Sequence, residues 1–327
     1  MSQLITFTPN GLYCPKADIY IDPWRPVPKA IITHAHSDHA RYGTKIYLGT
    51  PLTLDIAEYR FNKSIQKQYL NFGETLDING VKISLHPAGH IPGSAQVRLE
   101  HKGEVWAFTG DFKTTPDQVS TPWEPIQCNH YITECTFGLP VFNWKPEQET
   151  FQEIFDWIRS NDENKQNSII TTYALGKAQR LLHGLKALNR PIYLHGALHQ
   201  MQLFFDNYDY NFAETKHWEE YKKEKVPAII LCTPGAIGTK WINRFKPFSL
   251  ASASGWMAMR GPRRRRGVDK GFVLSDHADW KGLNDAIKAS DAKNIYVTHG
   301  YTSIFQKYFD YILYCFIFNK WRCNWCI

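Results

Sequence analysis

Short apolar runs broken by turn signals fill the first part of the chain. Ala17–Ile21 alternates and stops at Asp22-Pro23, Lys29–Thr33 is a continuous apolar run of the kind buried strands show, and Lys45–Leu48 is another. Residues 51–60 predict a short helix, opened by Thr50 as cap and Pro51 at the first helical position. Val81–Leu85, Ala95–Glu100 and Val105–Thr109 predict further strands. The period changes after about residue 137. Glu147–Arg159 places Phe151, Ile154, Phe155 and Ile158 on one helical face. A strand at Ser168–Thr172, a helix at Gly176–Leu188 and strands at Pro191–Leu194, Val226–Thr233 and Phe248–Ser252 follow. Such alternation predicts a compact α/β module. Strand character returns at Gly271–Leu274 and Ile295–Thr298.

Composition narrows the class without fixing it. The 327 residues suffice for one large domain or two ordinary ones, and 43% hydrophobic with 21% charged residues is an ordinary globular balance. The net charge of +7 favours an anionic partner through long-range attraction and says nothing about fold. Seven scattered cysteines in a chain this long argue against a disulfide framework and for a reducing compartment. The first ten residues lack a basic segment followed by an apolar one, so no signal peptide is expected. The longest apolar stretch, Tyr308–Phe318, is interrupted by Asp310 and falls short of the ~20 residues a bilayer span needs. A cytoplasmic protein without membrane association is expected.

The densest chemical signal is Thr33-His34-Ala35-His36-Ser37-Asp38-His39, four potential ligands within six residues directly after a buried strand. A lone histidine needs no functional account. Three with an aspartate at a strand end are hard to place as core or surface. On a loop, His34 and His36 can face one metal while Asp38 and His39 face a second, and imidazole with carboxylate suits zinc, manganese or iron. Downstream, His90 sits on the glycine-flanked loop Ala88–Ser94, and Asp111 ends the strand Phe108-Thr109-Gly110-Asp111, where it can bridge two metals. Asp22, also at a strand end, is placed to orient the histidine loop.

These motifs, in this order, resemble the metallo-β-lactamase superfamily, whose fold is an αββα sandwich with metals at one edge of its two sheets. Three later segments narrow the resemblance. Ile132–Gly138 carries Glu134, Leu274–Asp279 carries His277, and Val297–Gly300 carries His299. Together they look like motifs A, B and C of the β-CASP nucleases, which process RNA or DNA. Thr172–Gln179 and Ala253-Ser254-Gly255 resemble that family's inserted domain. The resemblance implies α/β architecture with the metallo-β-lactamase sandwich in residues 1–136 and 273–327 and an inserted β-CASP α/β domain in 137–272. It is similar to the bacterial ligase-associated DNA exonucleases, themselves similar to messenger-RNA 3′-end processing endonucleases.

What the resemblance implies for the site is specific. His34, His36 and His90 would hold one zinc, Asp38, His39 and His299 the other, with Asp111 as the bridge. His277 would donate a proton near the scissile phosphate, supported by Glu134. Two divalent ions, Zn²⁺ or alternatively Mn²⁺, would share a bridging hydroxide that hydrolyses a phosphodiester. A DNA or RNA strand is the expected partner, and a DNA ligase and a helicase follow from the resemblance alone. A DNA exonuclease is the favoured reading. An RNA-processing nuclease, a non-catalytic nucleic-acid-binding subunit and a hydrolase of small thioesters or lactams are its rivals. Two features could grip phosphates: the run Arg263-Arg264-Arg265-Arg266 and Lys177 at a helix start. Trp256, Met257 and Met259 could stack on bases or simply pack. After about residue 305 the chain departs from the family, and the aromatic tail with Cys323 and Cys326 reads as frameshifted or divergent.

Overall fold

The computed structural model describes residues 3–222, 226–265, 267–310 and 315–317. Elements are numbered along the chain. The described residues of Met1–Phe142 and His277–Ile327 form one compact unit, and Asn143–Asp276 forms the other. This division falls a few residues later than the change in hydrophobic period, because Phe142 still belongs to the first unit, where its carbonyl accepts from the Trp280 amide at 2.9 Å.

Two sheets build the first unit. In one, β1 (Thr6–Thr8), β2 (Gly11–Cys14), β3 (Ile19–Ile21), β4 (Lys29–Ile31), β5 (Ile46–Gly49) and β6 (Lys67–Tyr69) lie in chain order, antiparallel to β3 and parallel beyond. The other contains β7 (Thr75–Ile78), β8 (Val81–Pro87), β9 (Ala95–His101), β10 (Glu104–Phe108), β11 (His130–Cys135), β18 (Asn294–Gly300) and β19 (Cys315–Ile317), the last three parallel to β10. The period-2 pattern decides what each face meets. Trp106, Phe108, Ile132 and Tyr296 point toward Ile21, Ile31 and Leu48 of the first sheet and share one core with them. Ala107, Tyr131, Ile295 and Val297 point the other way. They meet Ala286 and Ile287 of helix α6 (Trp280–Ser290) and Phe305 of α7 (Thr302–Asp310). Helix α1 (Pro51–Phe61) buries Leu54, Ile56 and Ala57, so the layers run helix, sheet, sheet, helix.

The second unit is a six-stranded, wholly parallel sheet. Its strands are β12 (Asn167–Thr171), β13 (Ile192–Leu194), β14 (Thr215–His217), β15 (Ile229–Cys232), β16 (Phe248–Ala253) and β17 (Lys270–Phe272), in spatial order β14-β13-β15-β12-β16-β17. Helices α2 (Glu147–Glu163) and α3 (Lys177–Leu185) cover one face through Phe151, Ile154, Leu181 and Leu185. Gly184 lets them approach, since a Cβ there would stand 2.1 Å from the Phe151 ring. Ile242 and Phe245 cover the other face, against Ile169 and Ile230. Both faces are therefore buried, which is why these strands read as continuous apolar runs. Two further helices complete the unit, α4 (Gly196–Phe205) and α5 (Arg260–Arg265).

Some elements are shorter than their apolar runs. β3 starts only at Ile19 because Asp18 is left-handed, at φ 49°. β4 ends at Ile31, and Thr33 trades ladder pairing for the carboxylate of Asp22. No helix among the described residues is long and apolar enough to cross a membrane. Arg266, the Arg263 side chain and residues 318–327, with Cys323 and Cys326, lie outside the described residues.

Candidate metal centre

The histidine loop leaves the carboxyl end of β4, and Asp22 leaves the end of β3 beside it. Asp22 accepts three hydrogen bonds: Thr33 N at 2.8 Å, Thr33 Oγ1 at 2.6 Å and His39 Nδ1 at 2.7 Å. One buried carboxylate thus ties both ends of the loop together. A tight turn, with the Ala40 amide on the His36 carbonyl at 2.8 Å, brings His39 back toward the strand end. The Asp111 segment follows β10, and the two loops meet closely. A Cβ on Gly110, at φ 55°, would lie 2.7 Å from Thr33 Oγ1, so only glycine fits there.

Side chains from five strand ends converge. His34 Nε2 lies 3.1 Å from His36 Nδ1, which lies 3.1 Å from His90 Nε2. Asp111 Oδ2 faces His34 Nε2 at 3.6 Å, His90 Nε2 at 3.7 Å and His39 Nε2 at 3.5 Å. His34, His36, His90 and Asp111 all bring a ligand atom within 4.8 Å of one another, and so do Asp111, Glu134 and His277. The remaining expected ligands stand beside this group and less tightly. Asp38 Oδ2 is 3.9 Å from His39 Nε2 with its side chain 65% exposed, and the His299 ring stacks on His39 at 5.4 Å.

Hydrogen bonds fix which imidazole nitrogens face inward. Thr33 Oγ1 gives its proton to Asp22, so His34 Nδ1–H donates to Thr33 Oγ1 at 3.0 Å and the Nε2 lone pair faces Asp111. His39 Nδ1–H donates to Asp22, which leaves Nε2 inward. Thr298 Oγ1 donates to the Thr133 carbonyl at 3.3 Å and accepts from His299 Nδ1 at 3.2 Å, with the same consequence. His277 Nδ1–H donates to Glu134, 2.9 Å from each oxygen. Hydrogen bonds of this kind, from one ring nitrogen to a carboxylate or hydroxyl, are those that fix the tautomer and orientation of a histidine at a metal site.

The residues fit a cation. His39 Nε2 is buried and has no hydrogen-bond partner, so an unsatisfied ring nitrogen points into the cluster. Burial pulls the His39 ring down, but Asp111, Asp22 and Asp38 outweigh it and push it up to about 10; positive charge is wanted at that nitrogen. His34 goes the other way. Burial first, then the neighbouring histidines His39, His90 and His36, holds it well below the usual histidine range, as a neutral donor. Burial pushes Glu134 up, yet the His277 ring, with hydrogen bonds from His277 and the Phe112 amide, leaves it below the ordinary value and ionised.

His277 reaches this place by local means. The Ala278 amide donates to the Phe112 carbonyl at 2.7 Å, beside Asp111, and Asp279 caps α6 by accepting from the Gly282 amide at 2.8 Å. The phosphate-gripping candidates fare differently. Arg264 and Arg265 are exposed on α5. Lys177 is 5% exposed, and its ammonium is paired with Asp276 at 3.2 Å. Met257 is buried and packs against Gly271. The sequence reading missed Thr33 and Thr298, the hydroxyl relays to the histidines. Their signal is only a threonine immediately before a ligand histidine, at Thr33-His34 and Thr298-His299.

No protein-family model matches the chain. It is 29% identical over 302 residues to a probable DNA ligase of Opitutus terrae, a match covering 91% of this chain and 29% of that one. It is 25% identical over 339 residues to the RNase aCSPSF2 of Saccharolobus solfataricus, covering 83% and 68%. The chain thus spans less than a third of the ligase relative and about two thirds of the archaeal RNase. A crystal structure of a protein of unknown function from Enterococcus faecalis V583 shares the fold, with TM-score 0.57 at 12% identity over 83% of this chain and 75% of that one. The names of these relatives indicate the β-CASP nuclease branch of the metallo-β-lactamase superfamily as the group this chain is similar to.

Proposed function

We propose that this protein hydrolyses phosphodiester bonds of nucleic acid at a pair of divalent ions, most simply zinc. The observation that carries the reading is the convergence of inward-facing imidazole nitrogens on Asp111 Oδ2, with the orphaned His39 Nε2 among them. His34 Nε2, His36 Nδ1 and His90 Nε2 would hold one ion, and His39, Asp38 and His299 the second, Asp111 serving both. Bound there, the ions would offset the negative phosphoryl oxygens and lower the pKa of a water toward neutrality. The chain's own residues do the rest. Asp22 and Thr33 keep the lone pairs inward. Glu134 holds the Nδ1 proton of His277, so that a protonated Nε2 can pass its proton to the departing oxygen. Proton transfer of this kind contributes typically ~10²–10⁴-fold in rate.

A DNA exonuclease acting beside a ligase is the finer reading, supported by the match to a chain named as a probable DNA ligase, which is much longer than this one. A helicase partner has only the family resemblance behind it. Cleavage of RNA is the second reading, favoured by the relative named as an RNase. In either case residues 137–272 would be the inserted β-CASP domain, and Arg263–Arg266 would add contacts to the strand. The test is metal analysis of the purified protein together with cleavage of end-labelled single- and double-stranded DNA and RNA. His277→Ala is expected to lose ~10²–10⁴-fold in rate, and Asp38→Ala to lose metal as well as activity. Cleavage unchanged in both variants, or a metal-free and inert wild type, would end the proposal.

A further inference from the structure

The loop that carries the histidines continues directly into Arg41 and Tyr42, and the last turn of α1 lies against it. Arg60 Nη1 donates to the carbonyl of Ala35, between His34 and His36, at 2.7 Å. Tyr42 and Phe61 meet edge to face, with ring centroids 5.7 Å apart. The Lys63 ammonium stands 4.7 Å from the centroid of Tyr42, and the Arg60 guanidinium 5.6 Å from that of Phe61. Tyr42 remains 49% exposed, and Arg41, Lys45 and Lys63 are exposed as well.

The charges here are unbalanced. Asp55 and Glu58, the carboxylates of α1, are both committed to Lys67, at 2.8 and 2.7 Å. Arg41 reaches only the Trp24 carbonyl, at 3.1 Å, and no salt bridge joins Arg41, Lys45, Arg60 or Lys63 to an acid among the described residues. Burial holds the Arg60 guanidinium below its ordinary value, and Asp38, a candidate ligand, only partly opposes this. The surface is also held in shape. The Tyr47 hydroxyl donates to the Arg41 carbonyl at 2.7 Å and accepts from the Thr44 amide at 2.9 Å, while the left-handed Asn62 ends α1 just before Lys63.

We propose that Arg41, Tyr42, Arg60, Phe61 and Lys63 form a subsite for a single-stranded polynucleotide, carrying the strand to the metal centre. This deepens the nuclease reading and rests on it. An exposed aromatic ring accepts an unpaired base of any sequence by stacking, and cations around it track the phosphates. A paired base has no free face, so the ring adds to single-strand binding and little to duplex binding. Arg60 joins this surface to the ligand loop, since the helix turn that bears the cations is the one bonded to Ala35.

The test is fluorescence anisotropy of the full chain, stripped of metal with a chelator so that nothing is cut, with 20-nucleotide DNA and RNA single strands and the matching duplexes. Tyr42→Ala is expected to weaken single-strand binding about 5- to 150-fold, the range for removing one stacking ring, with far less effect on duplex. Tyr42→Trp should restore it. Lys63→Ala should lower the slope of log affinity against log salt by about 0.7, one phosphate contact on a single strand. Lys102→Glu, on the exposed turn between β9 and β10, lowers the charge by two units, twice the change of Lys63→Ala, away from this surface and should leave the single-strand preference in place. Equal losses on single strand and duplex, or a loss from Lys102→Glu as large as from Tyr42→Ala, would overturn the subsite while leaving the nuclease reading standing. A wild type that binds no polynucleotide at all would overturn both.

Discussion

Asp22 shows how much one side chain arranges. Its carboxylate is 6% exposed and satisfies a backbone amide, a hydroxyl and an imidazole from the two ends of the histidine loop. Replacement by alanine strands those three donors in a buried place, and each unsatisfied group costs about 1–3 kcal/mol. Asp22→Ala is therefore expected to lose at least about 2 kcal/mol in urea unfolding and to bind less metal per chain, because His39 is no longer held in the tautomer that aims Nε2 inward. Wild-type stability and wild-type metal content in this variant would show that Asp22 does not organise the site. The aspartate itself was legible in the sequence, at a strand end ahead of the motif. Its partner Thr33 was not, because a hydroxyl relay is set by a rotamer, and rotamers leave no trace in spacing.

At the scale of elements, the segment after β10 carries a second organiser. Lys113 and Asp117 form an ion pair at 2.5 Å with both side chains almost wholly buried. Asp117 Oδ1 also accepts the amides of Val119 and Ser120, at 3.0 and 2.8 Å. The Lys113 amide donates to the Ala88 carbonyl at 2.9 Å, and the Lys113 carbonyl lies so near Gly89 that a Cβ there would approach to 2.3 Å. The loops bearing Asp111 and His90 are thus clipped together. Removing one partner of a buried pair leaves an uncompensated charge at a cost of about 3–5 kcal/mol, whereas a shape-matched apolar pair can be nearly neutral. Asp117→Ala is accordingly expected to be strongly destabilised in thermal and denaturant unfolding, and Lys113→Met with Asp117→Leu to recover most of the loss. A double variant as weak as the single one would contradict this account.

Other elements show where a sequence signal fails. Helix α4 escaped prediction because its cap is His195, whose ring Nδ1 accepts from the Ala197 amide at 3.3 Å; no serine, threonine, aspartate or asparagine marks the start. Helix α6 does have its aspartate cap, but Gly282 in the first turn weakens the pattern that Leu283, Ala286 and Ile287 would otherwise display.

For the molecule as a whole, every candidate ligand lies in the first unit, although His34 and His299 are separated by most of the chain. Ions that bind the folded state alone stabilise it by about 2.7 kcal/mol at a hundredfold excess over Kd. Chelation is therefore expected to lower the unfolding temperature of the first unit by several degrees. Hydrogen exchange in β12 and β15 of the second unit should change little. Equal loss of protection in both, or none in either, would mean that the bound ions do not stabilise this set of residues.

The sequence alone determined the ordered series of ligand-type residues, a strand-rich first part followed by alternating strands and helices, and the net positive charge, while the sandwich came only as what the resemblance implied. The former follow from local period, residue chemistry and motif order, which a linear chain carries explicitly. Only the tertiary structure decided that Asp111 Oδ2 faces three histidine nitrogens, that Lys177 is spent on Asp276, and that the arginine and lysine around Tyr42 stand beside the ligand loop. Those facts depend on which strand ends lie side by side and on how each side chain satisfies its hydrogen bonds. Both arise from long-range packing, for which neighbouring residues hold no code.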